Sequence, residues 1–169
     1  MSVQEHLLVC LAEECVEVTH AATRGVDAPE ARADLLAEIK DLFAVALILQ
    51  KQGSIGSYNP TLDQVMASLP AIEEDPGRLL QDLIAHASLV AQRVAKALRF
   101  GLSESQHGQD QTNAERVGQA ISGFFVACIA FQERRIFGDF YPTPDEALAK
   151  LKKIERFMSI SRHEGALKG

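Results

Sequence analysis

Five carboxylates near the start of the chain are spaced to act together. Glu14 and Glu17, with Glu13 in front of them, lie in LAEECVEVTHAAT, and Glu38 and Asp41 lie in ADLLAEIKDLF. On an α-helix, residues i and i+3 share a face, so each pair points two carboxylates the same way. Between the pairs, Gly25-Val26-Asp27-Ala28-Pro29 breaks the pattern and predicts a helical hairpin. Leu7, Leu8, Leu11, Val18 and Ala21 run near the first acidic face, and Leu35, Leu42, Val45 and Leu49 near the second. Acids beside a core-facing stripe repel each other and lose water, so they need a positive partner or their pKa values rise. A hard divalent cation with oxygen ligands is the natural partner, and Mg²⁺ is the commonest where phosphates are the substrate. A solvated acidic face is the plainer account of any single pair. Two pairs on adjacent helices, both flush with apolar residues, make it no more than an equal rival.

The elements that must hold these groups are helices. The 169 residues are enough to bury a sizeable core. Apolar content is 47% with only 6% aromatic and no Trp, which favours packed helices over a sandwich or barrel. A net charge of −6 argues against a nucleic-acid polymer as partner. Cys10, Cys15 and Cys128 sit in apolar runs without a CxxC, as buried free thiols of a cytoplasmic protein would. MSVQEHLL has no basic stretch before its apolar run, and the apolar runs look too short for a membrane span.

Start and stop signals divide the chain. Ser2 and Glu5 form a capping box for a helix to about Thr23. Asp27 is expected to cap a second helix, with Pro29 in its first turn, ending near Gln52. A loop (GSIGSYNP) and a short helix from Thr61 to about Ser68 follow. The acidic stretch 70–77 reads as a linker, and Asp75-Pro76 starts a helix to Phe100. After a polar loop, Thr112 and Glu115 open a helix to about Arg134. Thr143-Pro144-Asp145-Glu146 opens the last, to about Ser161, with a loose tail after His163. No strand pattern of any length is present.

Leu11–Leu49 and Leu83–Ala130 match as a repeat. The expected organisation is one all-α domain of two tandem hairpins, about 3–52 and 76–134, with a linker near 53–75 and a C-terminal helix near 143–161. Aligned, Glu13 meets Ala85, Glu14 meets His86, Glu17 meets Leu89, Glu38 meets Gln119 and Asp41 meets Ser122. The second copy has lost every acid but carries Lys96-Ala-Leu-Arg99-Phe100-Gly101 and Thr112-Asn113.

Glu13-Glu14-x-x-Glu17 followed by Glu38-x-x-Asp41 resembles the motif of the all-α nucleoside triphosphate pyrophosphohydrolases. That superfamily includes MazG, the dimeric dUTPases and phosphoribosyl-ATP pyrophosphohydrolase. LAEEC-x-EV, KALRFG, TNAER and KIERFMSISR are similar to segments of small phage and bacterial MazG-like proteins. Those proteins usually carry the acids and KALRFG in one copy, whereas here they lie in different halves. The resemblance implies cleavage of an NTP or dNTP to the monophosphate and pyrophosphate, leaning towards a purine, guanine included. It implies two or more Mg²⁺ or Mn²⁺ ions on Glu14, Glu17, Glu38 and Asp41, with Glu13 either orienting water or standing behind the ion ligands, and a solvated acid as its equal rival. It implies phosphate contacts from Lys96 and Arg99, a sugar or base contact from Asn113, and a homodimer in the cytoplasm, the host's if phage-encoded. The expected layout is one site per chain between the two halves.

Two other classes fit less of the chain. Glu17-Val-Thr-His20 has the spacing of a ferritin-like di-iron ligand pair, but its only counterpart, Glu104-Ser-Gln-His107, falls in a polar loop. The stripped second half would also suit a non-catalytic helical interaction module.

Overall fold

The computed structural model describes residues 1–68, 75–163 and 165. Among these the protein is an all-α bundle of six helices without a strand: α1 Val3–Thr23, α2 Pro29–Lys51, α3 Leu62–Ser68, α4 Pro76–Phe100, α5 Asn113–Glu133 and α6 Pro144–His163. Residues 69–74, which include most of the acidic stretch read as a linker, and nearly all of the tail lie outside the described residues.

The helix starts follow local chemistry. Ser2 and Glu5 close a reciprocal capping box on α1, and Thr112 and Glu115 do the same on α5. Asp75 accepts from the backbone N–H groups of Gly77 and Arg78 at the head of α4. Thr143 and Glu146 exchange bonds at the head of α6. Gly101 ends α4 at φ 94°, a conformation that favours glycine. The expected cap of α2 is corrected: Ala28, not Asp27, is the N-cap, with no side-chain bond. Pro29 is the reason, because its ring pushes the preceding residue out of the helical region. Ala28 is accordingly extended, at φ −81° and ψ 137°.

α1 and α2 form an antiparallel hairpin, tied by Gln4 to Ser54 at one end and Arg24 to Asp34 at the other. α4 and α5 form a second, and α1 packs on α4. The remaining helices cross over: α3 lies on α5, and α6 lies on α2. The core runs through Leu11, Val18, Leu35, Leu42, Val90, Val94 and Ile121, all fully buried. Phe43 is an aromatic hub, with the rings of Tyr58, Phe124, Phe125, Phe140 and Tyr141 centred 5.3–6.2 Å away. The Tyr58 and Tyr141 hydroxyls pair at 2.7 Å.

One close approach locks a loop to α5. The Gly56 N–H donates to the Ala114 carbonyl, and a Cβ at Gly118 would fall 2.6 Å from the Gly56 oxygen. α5 is long and apolar enough to span a membrane, contrary to the expectation from the apolar runs. Val117, Ile121, Phe124, Cys128 and Phe131 spend that apolarity on the bundle core. All three cysteines are free and buried. Burial pushes the Cys10 thiol up to about 11 and Cys15 to about 12, so neither is a ready thiolate.

Candidate functional site

The acids of α1 and α2 meet. One carboxylate oxygen each from Glu14, Glu17 and Glu38 lies within 4.8 Å of the others. Helical spacing and the hairpin set this up: Glu14 and Glu17 share a face of α1, and the hairpin brings Glu38 of α2 against it. Glu17 is exposed, Glu38 half-buried, and Glu14 only 6% exposed. Asp41 belongs to the same group through a lysine. Lys150 of α6 donates to Glu14 Oε1 at 2.6 Å and to Asp41 Oδ2 at 2.5 Å. Its side chain is 5% exposed. A surface pair, Lys40 to Glu146 at 2.7 Å, fixes α6 on α2 one turn away.

The electrostatics follow from crowding. Burial, then the charges of Asp41 and Glu17, push Glu14 up to about 7, although Lys150 pulls the other way. One ammonium shared with Asp41 does not offset that environment. Burial, with Glu17 and Asp41 beside it, also raises Glu38. Burial works against the charge on Lys150, but its bonds to Asp41 and Glu14 outweigh it and its pKa is raised. Glu14 keeps one oxygen in deficit. Oε2 is buried and has no hydrogen-bond partner among the described residues. A buried carboxylate oxygen without a donor is costly, and an oxygen-loving cation would satisfy it.

A cleft of about 670 Å³ between α1 and α6 opens on the acids of α1. Glu13, Glu14, Glu17 and Lys150 line it, with His6, Lys153 and Phe157 further along. Both ring nitrogens of His6 are buried without a partner among the described residues. Phe157 is 52% exposed beside them.

The second-half residues gather elsewhere. Lys96 and Asn113 line a separate pocket of about 340 Å³ with Phe100, Glu104 and Arg116, and the two pockets share no residue. Asn113 donates to the Gly101 carbonyl at 2.8 Å, which clasps the end of α4 to the start of α5. Arg99 lies over the Phe100 ring at 4.9 Å and lines neither pocket. Phe100 is 56% exposed. The structure thus brings together Glu13, Glu14, Glu17, Glu38 and Asp41, and leaves Lys96, Arg99 and Asn113 apart from them.

Lys150 is the site residue that sequence reasoning missed. Its signal was present: Lys150, Ile154 and Met158 recur at i, i+4 and i+8, and they are the buried residues of α6. A lysine on an apolar stripe needs a buried acid. Of the aligned positions in the second half, His86 packs on Gly123, and burial lowers its pKa. Ser122 meets Gln64 of α3 at 3.5 Å, and neutral Gln119 sits beside them. Comparison of the chain with family models, with curated proteins and with solved structures finds no match in any of the three.

Proposed function

We propose that the protein is a metal-dependent nucleoside triphosphate pyrophosphohydrolase, releasing monophosphate and pyrophosphate. The observation that carries this reading is Glu14: a buried carboxylate with one oxygen unpartnered, grouped with Glu17 and Glu38 and lining an open cleft with Glu17. Hard oxygen donors with no soft ligand among them suit Mg²⁺ or Mn²⁺. When bound there, such an ion neutralises phosphate charge and lowers the pKa of a bound water.

The chain's own groups supply the rest. Glu14, Glu17 and Glu38 would hold the ion, and Asp41 acts with Lys150. Glu13, exposed at the cleft wall, orients water towards the α-phosphorus and takes its proton. A bond forms from the water oxygen to the α-phosphorus, the bond to the α–β bridging oxygen breaks, and pyrophosphate leaves with those electrons. Lys153 reaches the phosphates from α6, and Phe157 offers a stacking face to the nucleoside. This moves the substrate contacts from Lys96, Arg99 and Asn113 to the cleft between α1 and α6.

The same reading makes the bundle two tandem MazG-like units of three helices, the second stripped of acids. Tyr58-Asn-Pro-Thr61 before α3 and Tyr141-Pro-Thr143 before α6 match, and each third helix lies on the other unit's hairpin. Phe43 and Phe124, aligned positions, touch each other at 5.6 Å. One chain then equals a family dimer, and two chains pair into a homodimer, which light scattering checks.

The test is a panel of all NTPs and dNTPs with Mg²⁺ or Mn²⁺, scoring monophosphate and pyrophosphate. Turnover of at least one, abolished by chelation, is expected. No pyrophosphate from any nucleotide would leave the interaction module as the better reading.

A further inference from the structure

We infer that Lys150 takes the place of one metal ion, so that the acidic centre binds a single divalent cation per chain beside a built-in ammonium. The inference deepens the proposed reading and rests on its metal site. Its first ground is geometric. Lys150 Nζ lies 2.6 Å from Glu14 Oε1 and 2.5 Å from Asp41 Oδ2, so two carboxylates from different helices converge on one cationic atom. That is the arrangement a bridging ion would otherwise require.

The second ground is the division of the acids. Lys150 occupies Glu14 Oε1 and Asp41, while Glu14 Oε2 stays buried and unpartnered, and Glu14 groups with Glu17 and Glu38. The centre is split into a lysine-held half and an open half. The third ground is that Lys150 is held in place. It sits on the buried face of α6 with Ile154 and Met158, and the Lys40–Glu146 pair anchors the same helix on α2. A lysine 5% exposed and fixed at both carboxylates does not swing aside as a solvated one does.

A lysine differs from an ion in what it brings. It contributes one positive charge and no open coordination position, so it offsets only part of the charge on Glu14 and Asp41, and it cannot carry a water. Lys150 is therefore a positioning and charge-balancing group in the centre.

The experiment counts Mn²⁺ bound to the full chain without nucleotide, by the loss of the free-ion signal in electron paramagnetic resonance. The wild-type protein is expected to bind one Mn²⁺ per chain, and Lys150→Arg also one. Lys150→Met, and Lys150→Gln as a second variant, are expected to bind two, provided circular dichroism reports native helix. A wild-type count of none, or of two or more, overturns the inference whether or not the variants fold. So does a folded Lys150→Met that still binds one ion, however tightly, because Lys150 then competes for the same ion and does not replace a second. The nucleotide panel fails separately. One Mn²⁺ without turnover leaves this inference standing and removes the hydrolase, and turnover with two Mn²⁺ per chain does the reverse.

Discussion

Glu14 concentrates the behaviour of the centre in one side chain. Its pKa is raised from an ordinary 4.5 to about 7, chiefly by burial. Between those values the folded chain keeps a proton that the unfolded chain has lost, so the metal-free protein loses stability as pH rises across that window. Glu14→Gln should flatten this fall, which urea titrations at pH 5 and pH 7.5 would read. A wild-type protein more stable at pH 7.5, with no difference from Glu14→Gln, contradicts the account. Protons compete with the ion for the same oxygen, so Mn²⁺ affinity should climb with pH up to about 7 and then level off. Glu38 and Asp41 separate in the same way. Either change to Ala should cut kcat, on the order of 10²-fold or more. In the metal-free state, losing Glu38 removes a repelled carboxylate and should raise Tm, whereas losing Asp41 strips Lys150 of a partner and should not. The acids themselves were legible in the sequence, because i,i+3 spacing on two helices fixes a shared face. Their counter-ion was not, because Lys150 is 109 residues from Asp41 and only packing joins them.

At the scale of elements, capping chemistry gave the helix starts almost to the residue, since it is local. It failed at Asp27, where proline stereochemistry overrode the better cap. What local signals could not say is where α3 and α6 dock. Nothing in Leu62–Ser68 names α5 as its surface, and nothing in Pro144–His163 names α2. The loop between α2 and α3 is decided by a void of side chains. Gly56 and Gly118 approach so closely that a Cβ at Gly118 would meet backbone atoms of Gly56 at 2.6, 2.8 and 3.1 Å. Backbone cannot rotate away as a side-chain tip can. Gly118→Ala should therefore destabilise by about 1–3 kcal/mol, despite the better helix propensity of alanine. A urea midpoint equal to or above that of the wild type would mean the contact is loose.

At the scale of the whole molecule, the third helices cross between the hairpins. α3 follows α2 in sequence but packs on α5, and α6 follows α5 but packs on α2. The acidic centre needs the second crossing: its carboxylates come from the α1–α2 hairpin, and its ammonium from α6. Phe43 of α2 likewise rests on rings from α5 and the segment before α6. Neither half can bury its core alone. Residues 1–68 by themselves would expose Phe43, Leu11 and Val18 and leave Glu14 buried or half-buried without Lys150. We therefore expect the two pieces, 1–68 and 75–169, to be poorly folded apart and to associate one-to-one on mixing. Circular dichroism should show helix gained on mixing, and size exclusion should give one species with the mobility of the intact chain. The joined pieces should then bind Mn²⁺ as the intact chain does. A first piece that is native-like alone, or that carries the metal centre at full affinity without the second, would remove the role given to α6 and with it the shared centre.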